Sequence, residues 1–369
     1  MHLYVHVPFC RRRCSYCDFA IAVRRRVPAE AFVDAVLAER DRRVEDPRWA
    51  PGARPSTMYL GGGTPSLLDE AVLRRLIAGL GSAWPLAEGA EVTLEANPED
   101  VTARRAAGWR ALGINRVSLG VQSFHPPVLR WMHRAHDVSQ VERACAELRG
   151  AGIDNLSLDL IFGLPPSLGR DWRVDLARGI ALGPTHVSLY GLTVEAHTPL
   201  ARWVDRGRVR TVPDAGYAAE FLEGHRTLAA AGYQSYEVSN AARPGFRSRH
   251  NAAYWRRSAY LGLGPAAHSA RDRHRQWNER QWEAYRRRVA RGESPVSGSE
   301  ELSGASVALE RTYLGLRTSE GLADHEAPGD AVSRWVERGW AVRAGGRVRL
   351  TLEGWLRLDS LVGEAAGSG

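Results

Sequence analysis

Residues 3–17 read LYVHVPFCRRRCSYC, a short apolar run that leads directly into three cysteines with the spacing Cys10-xxx-Cys14-xx-Cys17. The apolar run is strand-like, and five more of the same kind follow: TMYLGGG (57–63), EVTLEAN (91–97), RVSLGVQSF (116–124), NLSLDLIFG (155–163) and HVSLYGL (186–192). Helical patterns lie between them, at PAEAFVDAVLAERDRRV (28–44), DEAVLRRLIAGLGSAW (69–84), SQVERACAELRGAG (139–152) and DWRVDLARGIALG (171–183). Strand and helix in alternation predict an α/β chain with a parallel sheet covered by helices, open or closed into a barrel. Ligands of such folds sit at the carboxyl ends of the strands. That rule gathers Cys10, the glycines 61–63, Glu95, Asn97, Gln122 and Asp159 on one rim.

Three thiols so close together suit a metal group. Fe–S clusters are held by cysteine thiolates, and three of them fill three corners of a [4Fe–4S] cube, leaving one iron open for a small molecule. A zinc site or plain buried thiols are the other readings. Structural zinc takes four N or S ligands, and His6 is the only further candidate nearby. Cys145, on the apolar side of the 139–152 helix, reads as a small buried hydrophobe.

The chain has 369 residues, enough for one large domain and a small one. It lacks both a secretory leader pattern and an apolar run of the ~20 residues that span a bilayer, so a soluble, cytoplasmic protein is expected. Four cysteines do not make a disulfide framework. The net charge of +8 comes from arginine alone, since the 50 basic residues include no lysine, and it does not by itself indicate nucleic acid.

Past residue 235 the pattern changes. YEVSNAARPGFRSRHNAAYWRRSAYLGLGPAAHS (236–269) reads as neither helix nor strand, so 1–235 is assigned to the α/β core and 236–296 to this loop and a connecting segment. Residues 297–369 show helix, helix and hairpin, with AGG as the tight turn, the order of a winged-helix module. Only the tail EAAGSG reads as disordered.

CxxxCxxC at the end of the first strand, with GGGTP after the second, resembles the radical S-adenosylmethionine (SAM) superfamily. The resemblance implies a partial (β/α)6 barrel in which SAM chelates the open iron and is cleaved to a deoxyadenosyl radical. YVHVPFC, YLGGGTPSLL, LEANP, VSLGVQSF, SLDLIFGLP and GLGPAAHS narrow it to the group related to oxygen-independent coproporphyrinogen III oxidase, over roughly residues 2–270. Carried over, the SAM contacts would be Tyr4, Gly62, Gly63, Thr64, Glu95, Gln122, Arg134 and Asp159, and the cluster ligands Cys10, Cys14 and Cys17. Phe19 stands where the oxidase has a fourth cysteine, and only nine residues precede Cys10. These departures, with HNxxYW at 250–255, point to the heme-chaperone branch. That branch implies heme as cargo and an acceptor protein, with His250 and Tyr254 as heme contacts.

The residues themselves also allow plainer readings. The glycine triplet serves a turn or a close backbone approach, and the polar strand residues contact a ligand or satisfy internal hydrogen bonds. Arg243, Arg247, Arg249, Arg256 and Arg257 would pair with propionates or stay solvated. Arg11–Arg13 and Arg24–Arg26 would offset cluster charge, dock an electron-donor protein, or be solvated. His133 and His136 lack a carboxylate partner nearby in sequence. Two other functions are weighed: oxidative decarboxylation of coproporphyrinogen III, and nucleic-acid binding by the C-terminal module, which is not expected.

Overall fold

The computed structural model describes residues 1–49 and 52–366. Six parallel strands stand side by side in chain order: β1 (His2–Val7), β2 (Thr57–Gly62), β3 (Glu91–Ala96), β4 (Arg116–Gln122), β5 (Asn155–Phe162) and β6 (His186–Gly191). Helices α1 (Ala29–Glu45), α2 (Glu70–Ala83), α3 (Ala103–Ala111), α4 (Val138–Gly150), α5 (Trp172–Ala181) and α6 (Asp214–Ala230) follow them. This is the expected partial (β/α)6 barrel. Local chemistry starts the helices: Asp69 accepts the Val72 amide ahead of α2, and Asp137 with Gln140 forms a capping box on α4.

One face of each strand is apolar and fully covered by helices, as with Leu3, Val5 and Val7 on β1, Met58 and Leu60 on β2, and Leu156 and Leu158 on β5. Each such side chain contributes about 1.5–3 kcal/mol by its burial. The other face is polar. In-register neighbours pair Tyr4 with Tyr59, Tyr59 with Thr93, Glu95 with Ser118, and Asp159 with Ser188. Because successive side chains alternate between faces, every second residue of these strands enters the barrel interior.

The segment 236–269, expected as a loop, is ordered into elements. β7 (Gln234–Glu237) and β8 (Asn240–Ala242) add antiparallel beyond β6, and α7 (Arg249–Trp255) carries HNxxYW. β9 (Tyr260–Leu263) pairs parallel to β1, followed antiparallel by β10 (His268–Arg271), β11 (His274–Asn278) and β12 (Val296–Glu301). α7 is too short for a periodicity signal, and its amides are capped partly by the adjacent serine and partly from a distance. Ser248 accepts the Asn251 N–H, and the Glu91 carboxylate accepts those of Arg249 and His250 at 2.9 and 3.0 Å.

The twelve-stranded sheet ends at β12 and β7. Helix α8 (Gly304–Leu316) leaves β12, and the chain beyond it bonds to β7: Ser319 N–H to Tyr236 O at 3.0 Å, with Arg317 on the buried Glu237 at 2.9 Å. The C-terminal module then adds β13 (Leu322–Ala323), α9 (Gly329–Glu337), β14 (Ala341–Ala344) and β15 (Arg347–Leu350). Gly345 and Gly346 turn the hairpin with positive φ at both positions, as a two-residue turn of this hand requires. Of the tail, Glu364–Ala366 end a helix, and residues 367–369 lie outside the described residues.

Candidate functional site

Cys10, Cys14 and Cys17 line a single cavity of about 570 Å³ at the carboxyl rim of the barrel. Backbone bonds pin their loop at both ends: Ala22 N–H to Pro8 O at 2.7 Å, Arg24 N–H to Cys10 O at 2.9 Å, and Ser15 N–H to Met132 O at 3.3 Å. Arg11 reaches the buried Asp100 at 3.4 Å, and Arg13 donates to Cys17 O at 3.3 Å. These two arginines therefore hold the loop's shape, whereas Arg12 lines the cavity without a protein partner among the described residues.

Two sulfurs already meet donors. The Thr64 hydroxyl lies 3.4 Å from Cys10 Sγ, and Arg134 Nη1 lies 3.5 Å from Cys14 Sγ. Both would stabilise thiolate charge. Burial pushes the Cys10 thiol up to about 11 and raises Cys17 as well, so metal binding must displace protons. His6 is not a free fourth ligand, because its ring nitrogens face Tyr4 OH at 3.0 Å and Ala20 O at 2.9 Å. Among the described residues no three His, Cys, Asp or Glu side chains converge on a single ion. Three half-buried thiols around a wide cavity fit a cluster better than one zinc ion.

Gly62, Gly63, Thr64, Glu95, Gln122, Arg134 and Asp159 all line the same cavity. Tyr4 does not; it stacks among Tyr59, His6 and His250 and faces a different cavity. The glycines are needed for protein packing: a Cβ on Gly62, at φ +109°, would fall 2.6 Å from the His6 ring, and one on Gly63 would fall 2.8 Å from Phe9 O. Their amides are engaged too, Gly62 N–H with Glu95 at 2.9 Å and Gly63 N–H with Val7 O at 2.8 Å.

Arg134 ties the rim together. Besides Cys14 it donates to Asn97 Oδ1 at 2.5 Å and Gly120 O at 2.8 Å, joining the cysteine loop to β3 and β4. Asp159 accepts from Ser118 at 3.1 Å and Ser157 at 3.4 Å. Gln122 sits at φ +68° beside a register shift in β4, and its side-chain amide has no partner among the described residues. Such strain in a non-glycine residue, about 1–3 kcal/mol, is the mark of a constrained position.

Desolvation raises the Glu95 carboxyl from 4.5 to about 7, outweighing the bonds from Tyr59 at 2.8 Å and Gly62. The folded chain therefore holds this proton more tightly than the unfolded chain. The resulting stability is complete below pH 4.5 and is lost as pH rises through 7. Thermal melts of the apoprotein should show this slope, worth at most about 3 kcal/mol, and Glu95→Gln should flatten it. Parallel wild-type and variant curves would refute the assignment.

The remaining sequence candidates scatter. His250 is only 1% exposed, with Nδ1 2.6 Å from Thr57 Oγ1 and Nε2 2.9 Å from Tyr254 OH. Burial lowers its pKa to about 3. Of the nearby arginines, Arg247 and Arg256 face Glu320, Arg257 faces Glu310 and Arg249 binds Gly89 O. His136 does meet a carboxylate, Glu99 at 3.4 Å, from a stretch remote in sequence. Cys145 is buried on α4. The serines around Asp159 and the role of Asn97 as an anchor for Arg134 escaped sequence reasoning, although the polar alternation in NLSLDL was a usable signal.

Residues 4–176 match the radical SAM superfamily. The fold is similar over 100% of this chain to 90% of coproporphyrinogen III oxidase (HemN) from Escherichia coli, a radical SAM enzyme, with a TM-score of 0.84 and 22% identity. Barrel, rim cavity and cysteine loop thus define a radical SAM protein, a class that implies a [4Fe–4S] cluster and SAM. The chain is 39% identical to the heme chaperone HemW of E. coli K12 over 73% of its length and 69% of that protein. It is 35% identical to HemW of Synechocystis over 88% and 80%. It belongs to the HemW heme-chaperone family. Among the described residues no helix is long and apolar enough to cross a membrane.

Proposed function

We propose that this chain binds heme and passes it to an acceptor protein, with a [4Fe–4S] cluster held by Cys10, Cys14 and Cys17 and SAM exchangeable in the rim cavity. The similarity to heme chaperones along most of the chain is the observation that carries this reading. When bound, the cluster supplies one-electron chemistry at the SAM sulfonium. The chain's own residues supply binding and orientation. The carboxyl groups of Glu95 and Asp159 would take the ligand's ammonium and hydroxyl groups, Arg134 its carboxylate, and the unpartnered Gln122 side-chain amide would offer a further hydrogen bond. Phe19, 63% exposed at the mouth, replaces a fourth thiol with an apolar surface.

Anaerobic, reconstituted protein should take up hemin and release it to an apo-acceptor, and should form no protoporphyrinogen from coproporphyrinogen III with SAM and a reductant. Protoporphyrinogen formation would assign the chain to the oxidase reaction instead.

A further inference from the structure

GLGPAAHS (262–269) has no part in the rim cavity, and its His268 faces a cavity of its own. His268 is exposed, and neither of its ring nitrogens has a hydrogen-bond partner among the described residues. Its ring stacks on Trp277 at 5.9 Å. Partial burial lowers its pKa, leaving a neutral imidazole at pH 7. It lines a cavity of about 430 Å³ with Tyr254, Trp255 and Tyr260, under Leu314 of α8. That volume lies within the ~300–1,000 Å³ usual for ligand pockets. A second cavity, about 690 Å³, shares Trp255 and Arg257 with it.

The chemistry of this trough suits an iron porphyrin. Aromatic rings supply flat apolar walls. Arg257 and Arg275 share one carboxylate, Glu310, so that corner keeps an excess positive charge. Arg311, in the adjoining cavity, has no acidic partner among the described residues. Excess guanidinium charge is what two propionates require. His250, by contrast, has both ring nitrogens committed, one of them to Tyr254 OH.

Resting on the heme-chaperone reading, we propose that heme lies in this trough between α7, the GLGPAAHS turn and α8, with iron ligated by His268 and His250 acting as a positioning residue for Tyr254.

The test is hemin titration of the full chain with absorption and electron paramagnetic resonance spectra. Wild type should show imidazole ligation. His268→Ala should lose that signature, weaken hemin binding by roughly tenfold or more, and regain the signature with added imidazole. His268→Cys should convert it to thiolate ligation. His250→Ala should reduce uptake while the bound heme keeps its imidazole signature. SAM binding should be unaffected by either change at His268, showing that the variants are folded. A wild type that takes up no hemin overturns the heme reading itself. Imidazole ligation that survives His268→Ala, or that His250→Ala alone abolishes, overturns the placement and leaves that reading standing.

Discussion

Cys14→Ala should leave the chain folded and stop it from holding iron. Among the described residues the sulfur's one side-chain hydrogen-bond partner is Arg134 at 3.5 Å, so the apoprotein should melt within about 0.5 kcal/mol of wild type. Reconstituted wild type should carry about four irons per chain and the variant almost none, because two thiolates cannot retain a cube that already lacks a fourth protein ligand. SAM binding should weaken with it. Cys145→Ala is the matched control: it opens space in a packed helix interface, lowers stability and leaves iron unchanged. A Cys14 variant with full iron content would show that the cluster is held elsewhere.

Arg134→Ala should damage both the fold and the cavity. It strands Asn97 Oδ1 and Gly120 O, at a cost of about 2–4 kcal/mol by chemical denaturation. SAM affinity should fall roughly a hundredfold, the equivalent of one or two charge-assisted hydrogen bonds at about 1.5–3 kcal/mol each. Arg134→Lys keeps the charge without the planar fork, so it should fall in between. Equal SAM affinity in all three proteins would remove Arg134 from the binding role.

The barrel was legible because its six strands announce themselves by runs of branched apolar residues and four of its six helices by their apolar pattern, whereas α3 and α6 escaped the sequence reading. The cysteine spacing likewise needed no tertiary information. HNxxYW misled for a physical reason: α7 exists because Glu91, over 150 positions away in the chain, satisfies its first amides, and no local pattern records that bond. A histidine beside tyrosine and tryptophan likewise carries no mark of which way it faces, and His250 turns inward onto Thr57 and Tyr254. The partner of His136 was hidden in the same way, since Glu99 meets it only once β3 and β4 lie together.

Helix α8 is a clasp whose two ends grip opposite margins of one continuous sheet. Because its first turn is exposed and only Leu316 is buried, amide exchange should run from fast at residue 304 to slow at 316, where the chain grips β7. Loosening this helix would free both margins of the sheet at once, while the rim cavity, built on the first six strands, would stay intact.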